Sequence, residues 1–267
     1  MKRNYIARRF QLGGTGLSLD TEALSKYKDI IDLSIGDTDF TTDEAIIAAA
    51  FRDAGLGHTH YGDPKGDPEL ISAVCRAWEE DFGQPLSDDH VLVSTSSCLG
   101  MALTMLAILD PGDEVIVFSP YFAVYRSQIE LAGGVCVDVP TYADENYAID
   151  EARLRAAITP RTKAIIFNNP ANPTGMSYDR DTLSMLARIA QEYDLLIAAD
   201  EIYTTYLYEG DFCPIRTLPG MAERTITLNS FSKNYLMTGW RVGVIIAEPE
   251  LLAVMNRING ALVYTAP

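Results

Sequence analysis

The chemistry in this 267-residue chain centres on Lys233. It stands in Ser230-Phe-Ser-Lys-Asn-Tyr-Leu-Met-Thr-Gly-Trp-Arg-Val-Gly243, among small and hydroxylated residues, with Arg241 eight positions further on. A lysine that attacks a carbonyl must be neutral, and slim neighbours let a flat molecule reach it. An arginine fork nearby suits a phosphate. Alone, the stretch offers a Schiff-base lysine beside a phosphate site. A solvated loop lysine is the plain alternative, and residues elsewhere decide between them.

Asp200 directly follows Leu195-Leu-Ile-Ala-Ala199, which puts a carboxylate at the end of an apolar strand. Buried carboxylates are rare unless paired. A protonated pyridine nitrogen would be such a partner, and Tyr203, three residues on, could reach the same ring; a cap on the next segment is the plainer reading. In Asn168-Asn-Pro-Ala-Asn-Pro-Thr-Gly175, two Asn-Pro pairs make a rigid loop that presents Asn172 as a fixed amide. Thr95-Ser-Ser-Cys-Leu-Gly-Met101 opens a helix with small residues. Its free N–H groups form either a phosphate cradle at Ser97 and Cys98 or an ordinary N-cap. Phe122, in Ser119-Pro-Tyr-Phe122, either lies flat on a ring or belongs to the core.

These residues need a scaffold that gathers them. The periodicity predicts helices over 43–54, from about 70 onwards (Leu70, Ile71, Val74 and Trp78 on one face), 97–109, 121–132 and 179–193. Short apolar runs predict strands at 91–94, 114–118, 135–139, 164–167, 195–199, 225–228 and 242–246. The opening up to about Phe40 reads as an irregular arm, and 61–68 as a Gly- and Pro-rich loop. Short apolar strands alternating with helices define an α/β fold: a three-layer, mostly parallel sheet with helices on both faces. Such sheets bind ligands beyond the carboxyl ends of their strands, which is where these polar residues fall. We expect an arm with part of a small domain over residues 1–42 and a large domain over 43–267.

Composition excludes several classes. The net charge of −16 argues against nucleic acid as a partner, because phosphate-backbone binding needs a basic face. No apolar run approaches the roughly 20 residues of a membrane-spanning helix. Four separated cysteines, Cys75, Cys98, Cys136 and Cys213, show neither metal spacing nor a disulfide framework. With no apolar core after the charged first residues, the expected location is the cytoplasm.

Taken in order, Asn-Pro-x-Asn-Pro-Thr-Gly, Asp-x-x-Tyr and Ser-x-Ser-Lys-x(7)-Arg make the chain from about Leu33 onwards resemble the class I/II aminotransferases, pyridoxal-phosphate enzymes of the aspartate-aminotransferase fold. The resemblance implies that Lys233 holds the cofactor aldehyde as a Schiff base and later moves the substrate Cα proton. It implies that Asp200 pairs with the pyridinium nitrogen, and that Tyr203 and Asn172 bond the 3′-oxygen. By the same resemblance Phe122 would stack on the ring, and Ser97, Cys98, Ser230 and Arg241 would hold the phosphate. Asn172 and Gly36 would lie near the substrate carboxylate, and Tyr61 would reach the phosphate of a second subunit in a homodimer. Substrates would be an amino acid and a 2-oxo acid. A β-lyase of the same fold, or a cofactor-binding fragment without turnover, is the alternative. One departure is Ser96-Ser97-Cys98, where the family usually has Gly-Ala. Another is that the family continues past Pro267 with an arginine for the substrate carboxylate, so the expectation is either a truncated form lacking that anchor or a longer protein of which this is a part.

Overall fold

Seven strands form one sheet in the computed structural model, which describes Tyr5, Asp29, Ile31 and residues 36–266. The chain divides into two units, residues 1–36 and 37–267. Of the first unit only those three residues and Gly36 are described, so most of the expected arm lies outside the described residues.

In the second unit, helix α1 (Glu44–Gly55) and helix α2 (Pro68–Phe82) precede the sheet. Asp43 and Asp67 cap them by accepting from backbone N–H groups in the first turn. The remaining elements are β1 (Val91–Ser94), α3 (Ser96–Ile108), β2 (Glu114–Ser119), α4 (Val124–Leu131), β3 (Val135–Pro140), α5 (Glu151–Ala157), β4 (Thr162–Asn168), α6 (Arg180–Glu192), β5 (Leu196–Asp200), β6 (Thr225–Ser230), the single turn α7 (Phe231–Asn234), β7 (Gly243–Ile246) and α8 (Pro249–Leu262). Helix α4 starts at Val124 rather than at 121, because Pro120 to Ala123 turn the chain before the helix. Helices α5 and α8 go beyond the elements expected from periodicity.

The spatial order is β1-β7-β6-β5-β4-β2-β3. Only β7 is antiparallel to its neighbours. Its reversal brings the start of β7 to the edge where the other strands end, so Gly243 pairs with both Ser94 and Ser230. On the same edge Asn168 pairs with Asp200.

Apolar side chains cover both faces. One core joins Leu92, Val117, Ile166, Ala198 and Leu228 to Met101, Tyr125 and Met255 of the helices. The opposite core joins Ile116, Phe167, Ile197 and Ala199 to Leu183, Leu186 and Ile215. Each fully buried aliphatic chain contributes about 1.5–3 kcal/mol, so the sheet edge is a stiff platform.

Candidate active site

Strand alternation sorts the end of β5. Asp200 shares the face of Ala198 and Tyr125, and Glu201 shares the face of Ala199 and Ile215. Asp200 is 7% exposed. The Tyr125 hydroxyl donates to its Oδ2 at 2.5 Å. Its Oδ1 is buried and has no hydrogen-bond partner among the described residues. Burial lifts the carboxyl pKa to about 6, against the pull of the Tyr125 bond. A buried acceptor left without a donor costs roughly 1–3 kcal/mol, more for a charged one. The position therefore suits a ligand that brings a cationic N–H.

The Asn-Pro loop is tied to this strand end. Asn168 Nδ2 donates to the Asp200 carbonyl at 2.8 Å, and Asn168 Oδ1 accepts from the Asn172 N–H at 2.6 Å. Asn172 in turn hydrogen-bonds Tyr203. Burial raises the Tyr203 phenol pKa, Asp200 adds to the rise, and the Asn172 bond opposes it. Asp200, Tyr203 and Asn172 are thus one connected group.

Lys233 reaches the same edge from β6. Ser230 Oγ accepts from the Ser232 N–H at 3.1 Å and donates to the Val242 carbonyl at 3.3 Å, which caps the turn carrying the lysine. The Tyr206 hydroxyl donates to the Lys233 carbonyl at 3.0 Å, and Asn234 Nδ2 donates to Thr204 Oγ1 at 2.7 Å. The segment after Asp200 and the lysine turn are therefore laced together. Partial burial pulls the Lys233 pKa below its ordinary value; Asp37 opposes this and Arg241 adds to it. The shift favours the neutral amine that a nucleophile needs.

The loop to Arg241 is held from the start of the unit. Thr42 Oγ1 donates to the Leu236 carbonyl at 2.6 Å, Trp240 Nε1 donates to Thr42 Oγ1 at 3.1 Å, and Thr238 Oγ1 donates to Asp37 Oδ1 at 2.8 Å. Arg241 takes a left-handed backbone, φ 60°, and its Nη1 donates to the Thr238 carbonyl at 2.8 Å. Its charge acts on both Lys233 and Cys98.

Close packing shapes the first turn of α3. A Cβ at Gly243 would lie 2.5 Å from Ser97 N and 2.7 Å from the Ser96 carbonyl carbon, so only glycine lets β7 pass beneath this turn. Thr95, the N-cap residue, makes no side-chain cap bond. An uncapped helix start holding Ser97 and Cys98, with Arg241 acting on it, suits a phosphate. Phe122 packs edge-on to Tyr125 at 5.7 Å and leans on the adjoining core, so it serves as wall and core together.

Tyr61 and Gly36 complete the expected set. Tyr61 is 85% exposed and packs edge-on to Tyr264 at 5.3 Å. Gly36 is the last residue of the first unit. Conversely, the structure adds Tyr125, Gln128, Glu201 and Tyr206. Tyr125 lies in the first turn of α4, three residues after Phe122, and packs on its ring. Glu201 is 1% exposed; Ile215 N–H donates to its Oε1 at 3.1 Å, and burial lifts its pKa to about 8.

The sheet order and the lysine–aspartate edge define a fold-type I pyridoxal-phosphate scaffold. The sequence profile of the aminotransferase class I and II family matches residues 28–267, and the chain belongs to that family, whose cofactor is pyridoxal 5′-phosphate. The chain is 40% identical over 232 residues to the aspartate/prephenate aminotransferase of Thermus thermophilus, covering 86% of this chain and 60% of that protein. It is 35% identical to an arginine–pyruvate transaminase of Pseudomonas aeruginosa, covering 96% of this chain and 66% of that one. The solved Thermus thermophilus aspartate aminotransferase with maleate superposes with a TM-score of 0.92 at 35% identity, over 99% of this chain and 70% of that chain. The chain thus spans about 60% of the length of the first of these relatives.

Proposed function

We propose that the protein is a pyridoxal-phosphate-dependent aminotransferase that moves an amino group between an amino acid and a 2-oxo acid. The observation that carries this reading is the convergence of Lys233 with Asp200, whose buried Oδ1 lacks a donor, on one sheet edge. Bound there, the cofactor supplies an electron sink for the substrate Cα.

The chain's residues divide the work. Asp200 Oδ1 accepts from the cofactor's ring nitrogen, and Tyr125 keeps the carboxyl oriented with that oxygen free. Asn172 and Tyr203 supply donors for the ring oxygen. The first turn of α3 at Ser97 and Cys98, with Ser230 and Arg241, receives the phosphate. Phe122 limits the ring's movement, and water is excluded on the side where Phe122 and Tyr125 pack. Lys233 Nζ would hold the cofactor aldehyde and, once a substrate amine takes its place, would move the proton between the substrate Cα and the cofactor C4′. Its lowered pKa leaves more of the amine ready to do so.

The relatives' names cover aspartate, prephenate and arginine, so amino-group exchange is the shared chemistry rather than any one donor. The same reading makes residues 1–42 an arm, assigns Gly36 to the substrate carboxylate, and pairs two copies so that the exposed Tyr61 meets the partner's phosphate site. No helix among the described residues is long and apolar enough to cross a membrane. The four cysteines are free, in keeping with a cytoplasmic setting. The test is borohydride reduction of protein reconstituted with pyridoxal phosphate. A cofactor mass increment should map to Lys233 and vanish in Lys233→Ala. A colourless reconstituted wild type, or an increment on another lysine, would overturn the reading.

A further inference from the structure

Glu201 is a buried carboxyl that the aminotransferase reading leaves without a task. Its N–H donates to the Leu228 carbonyl of β6 at 2.9 Å, which fixes its backbone beside the sheet edge. Its side chain reaches further along the chain: Oε1 accepts from the Ile215 N–H, 14 positions later, at 3.1 Å. That bond joins the two ends of the loop 202–214. The loop carries working parts. Tyr203 hydrogen-bonds Asn172. The Tyr206 hydroxyl donates to the Lys233 carbonyl at 3.0 Å, and Thr204 and Thr205 hold the two ends of the Asn234 amide at 2.7 and 2.8 Å. Its tip is open to solvent at Tyr208.

We propose that Glu201 is a positioning residue that closes the base of this loop and so sets Tyr203 and Tyr206 against the cofactor site. The inference rests on the aminotransferase reading for the roles of Tyr203 and Lys233.

The clamp works as a neutral acid. Glu201 is 1% exposed, and its Oε2 is buried without a hydrogen-bond partner among the described residues, so the Ile215 N–H is all that they offer a charge there. Asp200, the preceding residue, would repel that charge. Arg216, beside Ile215, is engaged elsewhere, by the Thr225 carbonyl at 3.0 Å and by Glu248 Oε1 at 3.1 Å. The Cys213 thiol lies 3.8 Å from Thr217 Oγ1, and β6 brings only the uncharged Thr227 beside Ala199 on this face. Burial lifts the Glu201 pKa to about 8, with the Ile215 bond opposing and Asp200 adding. An opened loop returns the carboxyl to water and to its ordinary value of 4.5. The closed form thus binds the extra proton between these two values. Opening becomes easier by about tenfold per pH unit across that window, and levels off above it.

The test is amide hydrogen exchange of the full chain, with protection factors for residues 202–215 corrected for the intrinsic effect of pH. In cofactor-free protein, wild-type protection should fall about tenfold more than that of Glu201→Gln between about pH 6 and 7. The glutamine retains an acceptor for the Ile215 N–H but does not titrate. Asp200 is present in both proteins, so the contrast belongs to residue 201. Equal pH dependence in the two proteins overturns the proposal. Pyridoxal phosphate at about ten times its Kd should raise protection of the same amides about elevenfold, because the closed loop is the form that sets Tyr203 on the cofactor. Unchanged protection in protein whose absorbance shows bound cofactor overturns the positioning role. Absence of that absorbance overturns the aminotransferase reading instead, and the pH contrast still decides the clamp.

Discussion

Replacing Asp200 by asparagine separates the cost of an unfilled site from its use. In the cofactor-free protein, burial raises the Asp200 pKa from an ordinary 3.8 to about 6. A carboxyl with a raised folded-state pKa binds more protons in the native state than in the unfolded one. Stability therefore falls as pH rises from the unfolded to the folded value, and stays lowered above both. The shift of about two units corresponds to a penalty of roughly 3 kcal/mol at about pH 8, and roughly 1 kcal/mol at about pH 4.5. Asp200→Asn retains an acceptor for Tyr125 and removes the ionisation. Its fixed cost, an amide N–H without an acceptor, does not change with pH. Urea denaturation of both cofactor-free proteins should thus show the variant gaining about 2 kcal/mol on the wild type between pH 4.5 and 8. Adding pyridoxal phosphate should reverse the order, because only the wild type pairs with the ring nitrogen. A stability difference that is flat across this pH range would refute the claim that Asp200 sits strained and unpartnered in the empty site.

Three further outcomes follow from the same geometry. Tyr125→Phe removes the donor at Oδ2, so the Asp200 carboxyl should titrate at higher pH, as read by NMR, and bound cofactor should weaken by the roughly 1.5–3 kcal/mol of a hydrogen bond to a charged group; an unmoved titration would count against the pairing. Gly243→Ala places a Cβ 2.5 Å from Ser97 N, so the start of α3 must move. Denaturation should show a loss of about 1–3 kcal/mol, and cofactor dissociation should speed up. Tyr61→Phe should weaken cofactor retention in a paired assembly without changing the stability of a single chain; equal retention by dialysis would argue against a shared site.

The motif residues were legible in the sequence because each stands at a punctuation point, where an apolar strand ends and a polar or glycine-rich loop begins. Asp200, Asn172 and Lys233 could be found that way, and so could the alternating α/β pattern, since strand and helix periodicities are local properties. Tyr125, Gln128 and Glu201 could not. Nothing in the sequence around Tyr125 says that its hydroxyl meets a carboxylate 75 positions later. Nor does it say that Gln128, 30 positions after Cys98, donates to the Cys98 carbonyl. Those contacts depend on which helix packs over which strand.

By itself, the sequence determined the kinds of groups available, their order and the element each one ends. Only the tertiary structure decided that they meet. The antiparallel turn-back of β7 sets Gly243 against both Ser94 and Ser230, and so brings the cradle, the lysine turn and Arg241 to one edge. Burial by the surrounding core then raises the pKa of Asp200 and lowers that of Lys233. Desolvation depends on everything packed nearby, which is why neither shift could be read from the residues flanking those two positions.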